Sequence, residues 1–206
     1  VPVADRLVGL VRDGLVRDGL VRDGLPGGAT IGIALSGGGD STALLHLALA
    51  AGLRVEAVTV DHRLRAGSAA EAANVAAACA ALGVPHALRI WEHGPVAGNL
   101  MDAARRARMG LIAGWARERG LGHVALGHSR DDQAETLLMG LARAAGIAGL
   151  SGMRRSWVAA GVTFHRPLLD AGRAELRDWL SARGLGWVED PTNADARFTR
   201  VKARQA

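Results

Sequence analysis

Five times between Ile31 and Gly184 a short apolar run gives way to a stretch with helical character. The apolar runs are IGIAL (31–35), RVEAVTVD (54–61), HALRIW (86–91), HVALG (123–127) and VTFHRPLL (162–169). Helical stretches follow at about 41–51, 68–82, 99–119, from near 131, and at 174–184. Strands separated by helices cannot be hairpin partners; each connection crosses a face of the sheet, which leaves neighbouring strands parallel. The predicted fold class is therefore α/β, a doubly wound, mainly parallel five-stranded sheet with helices on both faces. Ligands of such sheets bind at the carboxyl ends of the strands, and the polar clusters of this chain fall there.

The first such end reads ALSGGGDSTALL (34–45). A strand, a glycine-rich turn and a helix start together make an anion site, because free helix N–H groups point at the ligand and the helix dipole favours negative charge. A Walker A loop needs a lysine beside its last glycine, and Lys202 is the only lysine in the chain. A dinucleotide loop fits in part: Gly37 and Gly39 give GxG, and Asp61 ends the second strand where a ribose-binding acid belongs. Its third glycine position, however, holds Thr42, and Asp40 would stand against a pyrophosphate with no cation between them. The pattern SGGxDS is matched in full by Ser36-Gly37-Gly38-Gly39-Asp40-Ser41. It resembles the PP-loop of the ATP pyrophosphatases, in which serine hydroxyls and loop amides hold the departing pyrophosphate. There Asp40 gains a purpose, since Mg²⁺ turns a repulsive carboxylate into a bridge.

Composition bounds the remaining choices. The 206 residues suit one full-sized domain, and a 49% hydrophobic content is enough for a substantial core. The formal charge of +5 is carried almost wholly by arginine, whose planar fork suits phosphate. One cysteine, Cys79, excludes an internal disulfide, a CxxC pair and a multi-cysteine metal site; a core thiol is expected. No apolar run is long enough for a membrane span and no signal-peptide pattern opens the chain, so a cytoplasmic protein with no membrane partner is expected.

Ahead of the alternation stand three tandem copies of VRDGL, at 11–15, 16–20 and 21–25. A five-residue period turns a helix by about 140° per copy, so no apolar stripe should persist, and the repeated glycines weaken helix further. Residues 1–28 are read as an N-terminal helical segment with solvated Arg-Asp pairs, and 29–206 as the catalytic domain.

Further motifs occur in one order: VDHRLRAGSAAEA (60–72), GNLMDAARRARM (98–109), LGHSRDDQAETLL (126–138), GIAGLSGM (146–153), RPLL (166–169) and EDPTNAD (189–195). Together with SGGGDS, from about Ala29 to Arg204, the chain resembles the N-terminal catalytic domain of the tRNA(Ile)-lysidine synthetases, a PP-loop family with an adenine nucleotide alpha hydrolase-like fold. The resemblance implies a two-step ligation that uses ATP and Mg²⁺. The wobble cytidine of a CAU-anticodon tRNA(Ile) attacks the α-phosphate through its 2-carbonyl oxygen and releases pyrophosphate. The amine of free L-lysine then displaces AMP to give lysidine.

The implied catalytic residues are Asp40, Arg105, Asp131, Asp132 and Glu135. The implied nucleotide-binding residues are Ser36, Gly37, Gly38, Gly39, Asp40, Ser41, Asp61, His62 and His128, with Asp40 and Asp132 as the metal ligands. On a helix start Asp131 and Glu135, four apart, should share one face; the acids there could hold Mg²⁺, the lysine ammonium or the cytosine amino group. Arg105 and Arg108, three apart, could neutralise the α-phosphate or hold tRNA backbone. The chain departs from the family at Met101 and Met109, where a glutamate and a tyrosine are usual, and at Phe198-Thr199-Arg200-Val201, which lacks the motif's asparagine. The family's helical C-terminal domains are expected to be absent, and a homodimer is left open. Other readings also stay open: a PP-loop tRNA thiolase, which the single cysteine disfavours, a non-catalytic nucleotide- or RNA-binding remnant, and a dinucleotide-dependent oxidoreductase.

Overall fold

The computed structural model describes residues 3–17, 30–64, 67–95, 98–143 and 151–189. Six strands form one sheet: β1 (Thr30–Ala34), β2 (Arg54–Asp61), β3 (His86–Ile90), β4 (His123–Leu126), β5 (Ser156–Ala159) and β6 (Val162–His165). Their spatial order is β3-β2-β1-β4-β6-β5, parallel except for β5 against β6. The expected count of five is thus corrected to six. The added strand is β5, an edge strand joined to β6 through Ala160 and Gly161, both with positive φ (51° and 78°), as a two-residue hairpin of right-handed twist requires. The last expected strand also ends four residues early, at His165, because Pro167 has no N–H to offer a ladder.

The helices are α1 (Val3–Arg17), α2 (Gly39–Ala50), α3 (Ser68–Ala81), α4 (Leu100–Glu118), α5 (Arg130–Ala142) and α6 (Arg173–Ser181). Alternate residues of β1 face opposite ways, as a strand dictates. Ile31, Ile33 and Leu35 join α1, α2, α3 and α6 in one core, where Cys79 is fully buried. Ala34 packs with Val58, Leu126 and the α4 residues Ile112 and Trp115 in a second core on the other face. Gly32 lies under Trp115: a Cβ there would meet the indole at 2.8 Å.

An apolar stripe does persist along α1. Leu7, Val11 and Leu15, spaced four apart, are all at most 1% exposed, and Gly14 lets the helix approach Pro167. The first VRDGL copy supplies two of the three. Its Arg12 and Asp13 are exposed, as expected. The third copy lies outside the described residues, as does all but Val16 and Arg17 of the second.

Order within the sheet decides where a ligand can bind. The chain lays β2 and β3 on one side of β1, then crosses to lay β4 on the other. The loops that leave β1 and β4 at this switch point border one crevice. The loops flanking it are SGGGDS (36–41) and GHSRDD (127–132).

Candidate active site

The glycine loop owes its shape to Gly37. Its φ is +83°, and a Cβ there would stand 2.7 Å from Val75. The Ser41 hydroxyl donates to the Gly38 carbonyl (3.0 Å), so in the Ser36–Ser41 contact (3.0 Å) Ser36 is the donor. Gly38 caps α2 without a side chain, which leaves the first N–H groups of that helix for an anion. The segment after α6 closes on this loop: the Val188 amide donates to the Gly37 carbonyl (2.9 Å), and Trp187 lies against Gly39.

The loop after β4 meets the glycine loop backbone to backbone. A Cβ on Gly127 would fall 2.8 Å from Ser41 Cα and 2.9 Å from both the Asp40 carbonyl oxygen and the Ser41 nitrogen. No rotamer relieves such a clash, so Gly127→Ala should separate the loops. The expected cost is about 2 kcal/mol of stability, with a larger loss of nucleotide affinity. Thermal melts and ATP titration check both.

Between these loops the acids converge on one guanidinium that the sequence reading did not single out. Arg173, the first residue of α6, donates from Nε to Asp40 (3.3 Å), from Nη2 to Asp132 (3.2 Å) and from Nη1 to Glu135 (3.1 Å). Its backbone amide donates to Asp131 (2.8 Å). The expected pairing of Asp131 with Glu135 is therefore corrected: Asp132 and Glu135, three apart, face the crevice, while Asp131 serves the start of α6. Ser129 was also missed. Its amide donates to Asp132 (2.8 Å), and its hydroxyl lies between Asp132 (3.1 Å) and Asp40 (3.2 Å). One hydroxyl proton cannot satisfy both carboxylates at once.

Three negative charges against the one positive charge of Arg173 leave this cluster two short of neutrality. Asp40 registers the deficit: burial, then the neighbouring Asp132, raise its carboxyl above the ordinary value despite Arg173. Among the described residues no three His, Cys, Asp or Glu side chains form a ready cation cage. Mg²⁺ needs none, because it is usually held by one or two carboxylates together with substrate phosphates. Asp40 and Asp132, linked through Ser129 and short of positive charge, fit that pattern.

The remaining expected residues fall in two places. His128 accepts a hydrogen bond from Arg166 (3.1 Å), and Arg105 on α4 is close enough to Arg166 to depress its guanidinium. Asp61 and His62 lie at the end of β2, beyond β1 from the acids. Asp61 accepts from the Arg63 amide (2.8 Å); burial works to raise its carboxyl, but this bond and the Ser68 hydroxyl hold it below the ordinary value. His62 meets Trp91 edge to face, and burial, then Arg108, lower its basicity. Among the described residues no hydrogen bond or ion pair joins Asp61 or His62 to the acid cluster. Of GIAGLSGM only Ser151 to Met153 and of EDPTNAD only Glu189 are described, so the Phe198–Val201 departure and most of EDPTNAD lie outside the described residues.

Fold and site together define a doubly wound α/β domain with an anion loop and an acidic crevice at its switch point. The chain belongs to the PP-loop domain family, whose profile matches residues 18–206. A tRNA(Ile)-lysidine synthase of Ruegeria pomeroyi is 51% identical over 180 residues, covering 85% of this chain and 43% of that protein. One from Bradyrhizobium diazoefficiens is 46% identical over 178 residues, covering 84% and 49%. The chain thus spans about half the length of the curated relatives it matches. Among solved structures, the U34-tRNA thiolase NcsA from Methanococcus maripaludis, with its [4Fe-4S] cluster, superposes with a TM-score of 0.81 at 16% identity. That match covers 98% of this chain and 71% of the other. An NH3-dependent NAD synthetase from Campylobacter jejuni gives 0.56 at 13%, covering 98% and 79%. These two likenesses bear on the fold alone.

Proposed function

We propose that this chain is the ATP-using part of a tRNA(Ile)-lysidine synthase, joining L-lysine to the wobble cytidine of a CAU-anticodon tRNA(Ile). The observation that carries the reading is the acid cluster set directly beside the glycine loop. A phosphate-binding loop alone needs no such acids, whereas joining an amine to an adenylated base does.

The α2 amides, Ser36 and Ser41 hold the β- and γ-phosphates that leave as pyrophosphate. Asp40 and Asp132 would hold Mg²⁺, which supplies positive charge to the phosphate oxygens. Arg105, close to Arg166, is assigned to the α-phosphate, where a guanidinium steadies the charge as the cytidine oxygen attacks. Glu135, at 3% exposure, holds the lysine side chain beside the carbon, which the amine attacks once its ammonium has lost a proton. Proximity does the rest: two bound reactants face each other across one crevice.

The thiolase alternative gains nothing from the superposition at 16% identity. Cys79 is the one cysteine in the chain, fully buried, and burial raises its thiol above the ordinary value. It is a poor nucleophile and a poor cluster ligand. No helix among the described residues is long and apolar enough to cross a membrane.

The test is direct. With tRNA(Ile), lysine and Mg²⁺, the protein should convert ATP to AMP and pyrophosphate, and radiolabelled lysine should enter the tRNA. Release of ADP, or a requirement for a sulfur donor, would overturn the assignment.

A further inference from the structure

The carboxyl end of β3 carries a small pile of rings. Trp91, the residue after β3, extends the ladder by donating its amide to the Asp61 carbonyl (2.9 Å). His62 meets the indole edge to face with centroids 6.0 Å apart, and His93 lies over it at 4.1 Å with a tilt of 34°. Trp91 and His62 are half-buried, whereas His93 is exposed. The His93 Nδ1 faces the Gly94 carbonyl (3.1 Å) and must donate to it, because a carbonyl only accepts. That bond holds the imidazole over Trp91, and among the described residues no further ring covers it. Core packing does not account for His93, since an exposed ring adds little buried area.

Arginines of α4 connect this pile with the crevice. Arg105 and Arg108, three apart, share one face of the helix. Burial, then Arg108, lower the basicity of His62 beside Trp91. Burial, then Arg105, lower the Arg166 guanidinium to about 10, and Asp132 of the acid cluster acts on that same group. Glu92, between the two stacked residues in sequence, is balanced by Arg63 (3.5 Å). Rings beside guanidinium groups suit single-stranded RNA, whose unpaired bases stack on aromatic side chains while its phosphates meet arginine. In the sheet β3 is two strands from β1, about 10 Å at the usual spacing. A loop that offers one base to the crevice can therefore lay another on the pile.

We propose that Trp91 and His93 form a stacking platform for a second unpaired base of the RNA loop that brings its cytidine to the crevice, with the α4 arginines along the path between them. Holding a second base fixes the loop's position, so the cytidine arrives oriented. The inference rests on the tRNA reading for the identity of the RNA; the platform itself rests on the ring geometry.

The test uses the full chain and a fluorescein-labelled RNA stem-loop with a CAU anticodon, followed by anisotropy. His93→Ala should weaken binding about tenfold, the scale of one base–aromatic stack. His93→Phe keeps a ring and should bind like the parent, and both variants should keep the parent's melting temperature and its ATP affinity without RNA. Trp91→Leu removes the ring beneath and should weaken RNA binding at least as much; if it does not fold, the two His93 variants decide. Abasic residues placed in turn through the loop should reveal one position at which parent and His93→Ala bind alike, which identifies the stacked base. Parental RNA affinity in His93→Ala, an undiminished difference at every abasic position, or a parent that binds ATP but not this RNA would each overturn the platform. If the stacked base is found but lysine never enters the tRNA, the ligase reading fails and the platform stands.

Discussion

Replacing Arg173 with methionine will lower stability by about 2–3 kcal/mol, because it leaves Asp40, Asp132 and Glu135 facing one another without their shared cation. Removing one partner of a fully buried charge cluster costs about 3–5 kcal/mol. Here the Arg173 side chain is 17% exposed, and water screens part of the loss. For a chain of this size the melting temperature should fall by roughly 5–10 °C. Two conditions should repair the variant more than the parent. Millimolar Mg²⁺ should do so by mass action on the native state. So should lowering the pH through the carboxylate range, because unpaired buried acids hold protons more tightly folded than unfolded, and stability then rises as pH falls. Melts across pH with and without Mg²⁺ check both. A variant that melts like the parent under all conditions would show that the acids do not press on one another.

Arg173 also marks where sequence reading stopped. SGGGDS was legible because its chemistry is local: six consecutive residues carry the loop, the cap and the acid. The second strand was legible over its full extent, 54–61, because Val55, Val58, Thr59 and Val60 are β-formers in a run too short for a typical helix. Arg173 lies 133 residues from Asp40, and no local pattern joins them. One signal was present. An arginine in the first turn opposes the helix dipole, so its position asks for an acidic partner elsewhere. Ser129 was marked more plainly, since serine followed three residues later by an acid is the capping pattern.

The edge strand β5 escaped for a different reason. Its four residues are only partly buried, Val158 is 71% exposed, and the run WVAAGV shows no alternation. The turn beyond it needs two left-handed residues but shows only one glycine, so the usual Asn-Gly signal is missing. Arg166 was visible as part of RPLL, yet its partner His128 becomes a neighbour only when β6 pairs with β4. Both misses lie at contacts made by sheet order, which spacing along a chain does not encode. The stripe on α1 failed the other way: the five-residue repeat hid a four-residue spacing that begins upstream at Leu7.

Asp40→Asn should separate activity from stability. In the parent, burial and Asp132 raise the Asp40 carboxyl, so the folded state holds this proton more tightly than the unfolded one. Between the ordinary value near 3.8 and the raised one, the folded state binds more protons, and this group makes stability fall as pH rises. At neutral pH the charge is therefore a liability to the fold, only partly offset by Arg173 and Ser129. An asparagine of the same shape removes that liability and keeps a hydrogen-bonding head. The variant should melt no lower than the parent at pH 7, and its melting temperature should lose the decline that Asp40 imposes across the carboxylate range. Its ATP-to-AMP turnover with tRNA and lysine should nevertheless fall by about 100-fold or more, the scale of removing one preorganised electrostatic group from a transition state. Nucleotide affinity without Mg²⁺ should change little, since the amides and serines of the loop are untouched, whereas the gain in affinity on adding Mg²⁺ should disappear. Unchanged turnover would remove the carboxylate from the reaction. Lost turnover with a collapsed melting temperature would mean that Asp40 is held in the loop for structure, and that its strained charge is not there for catalysis.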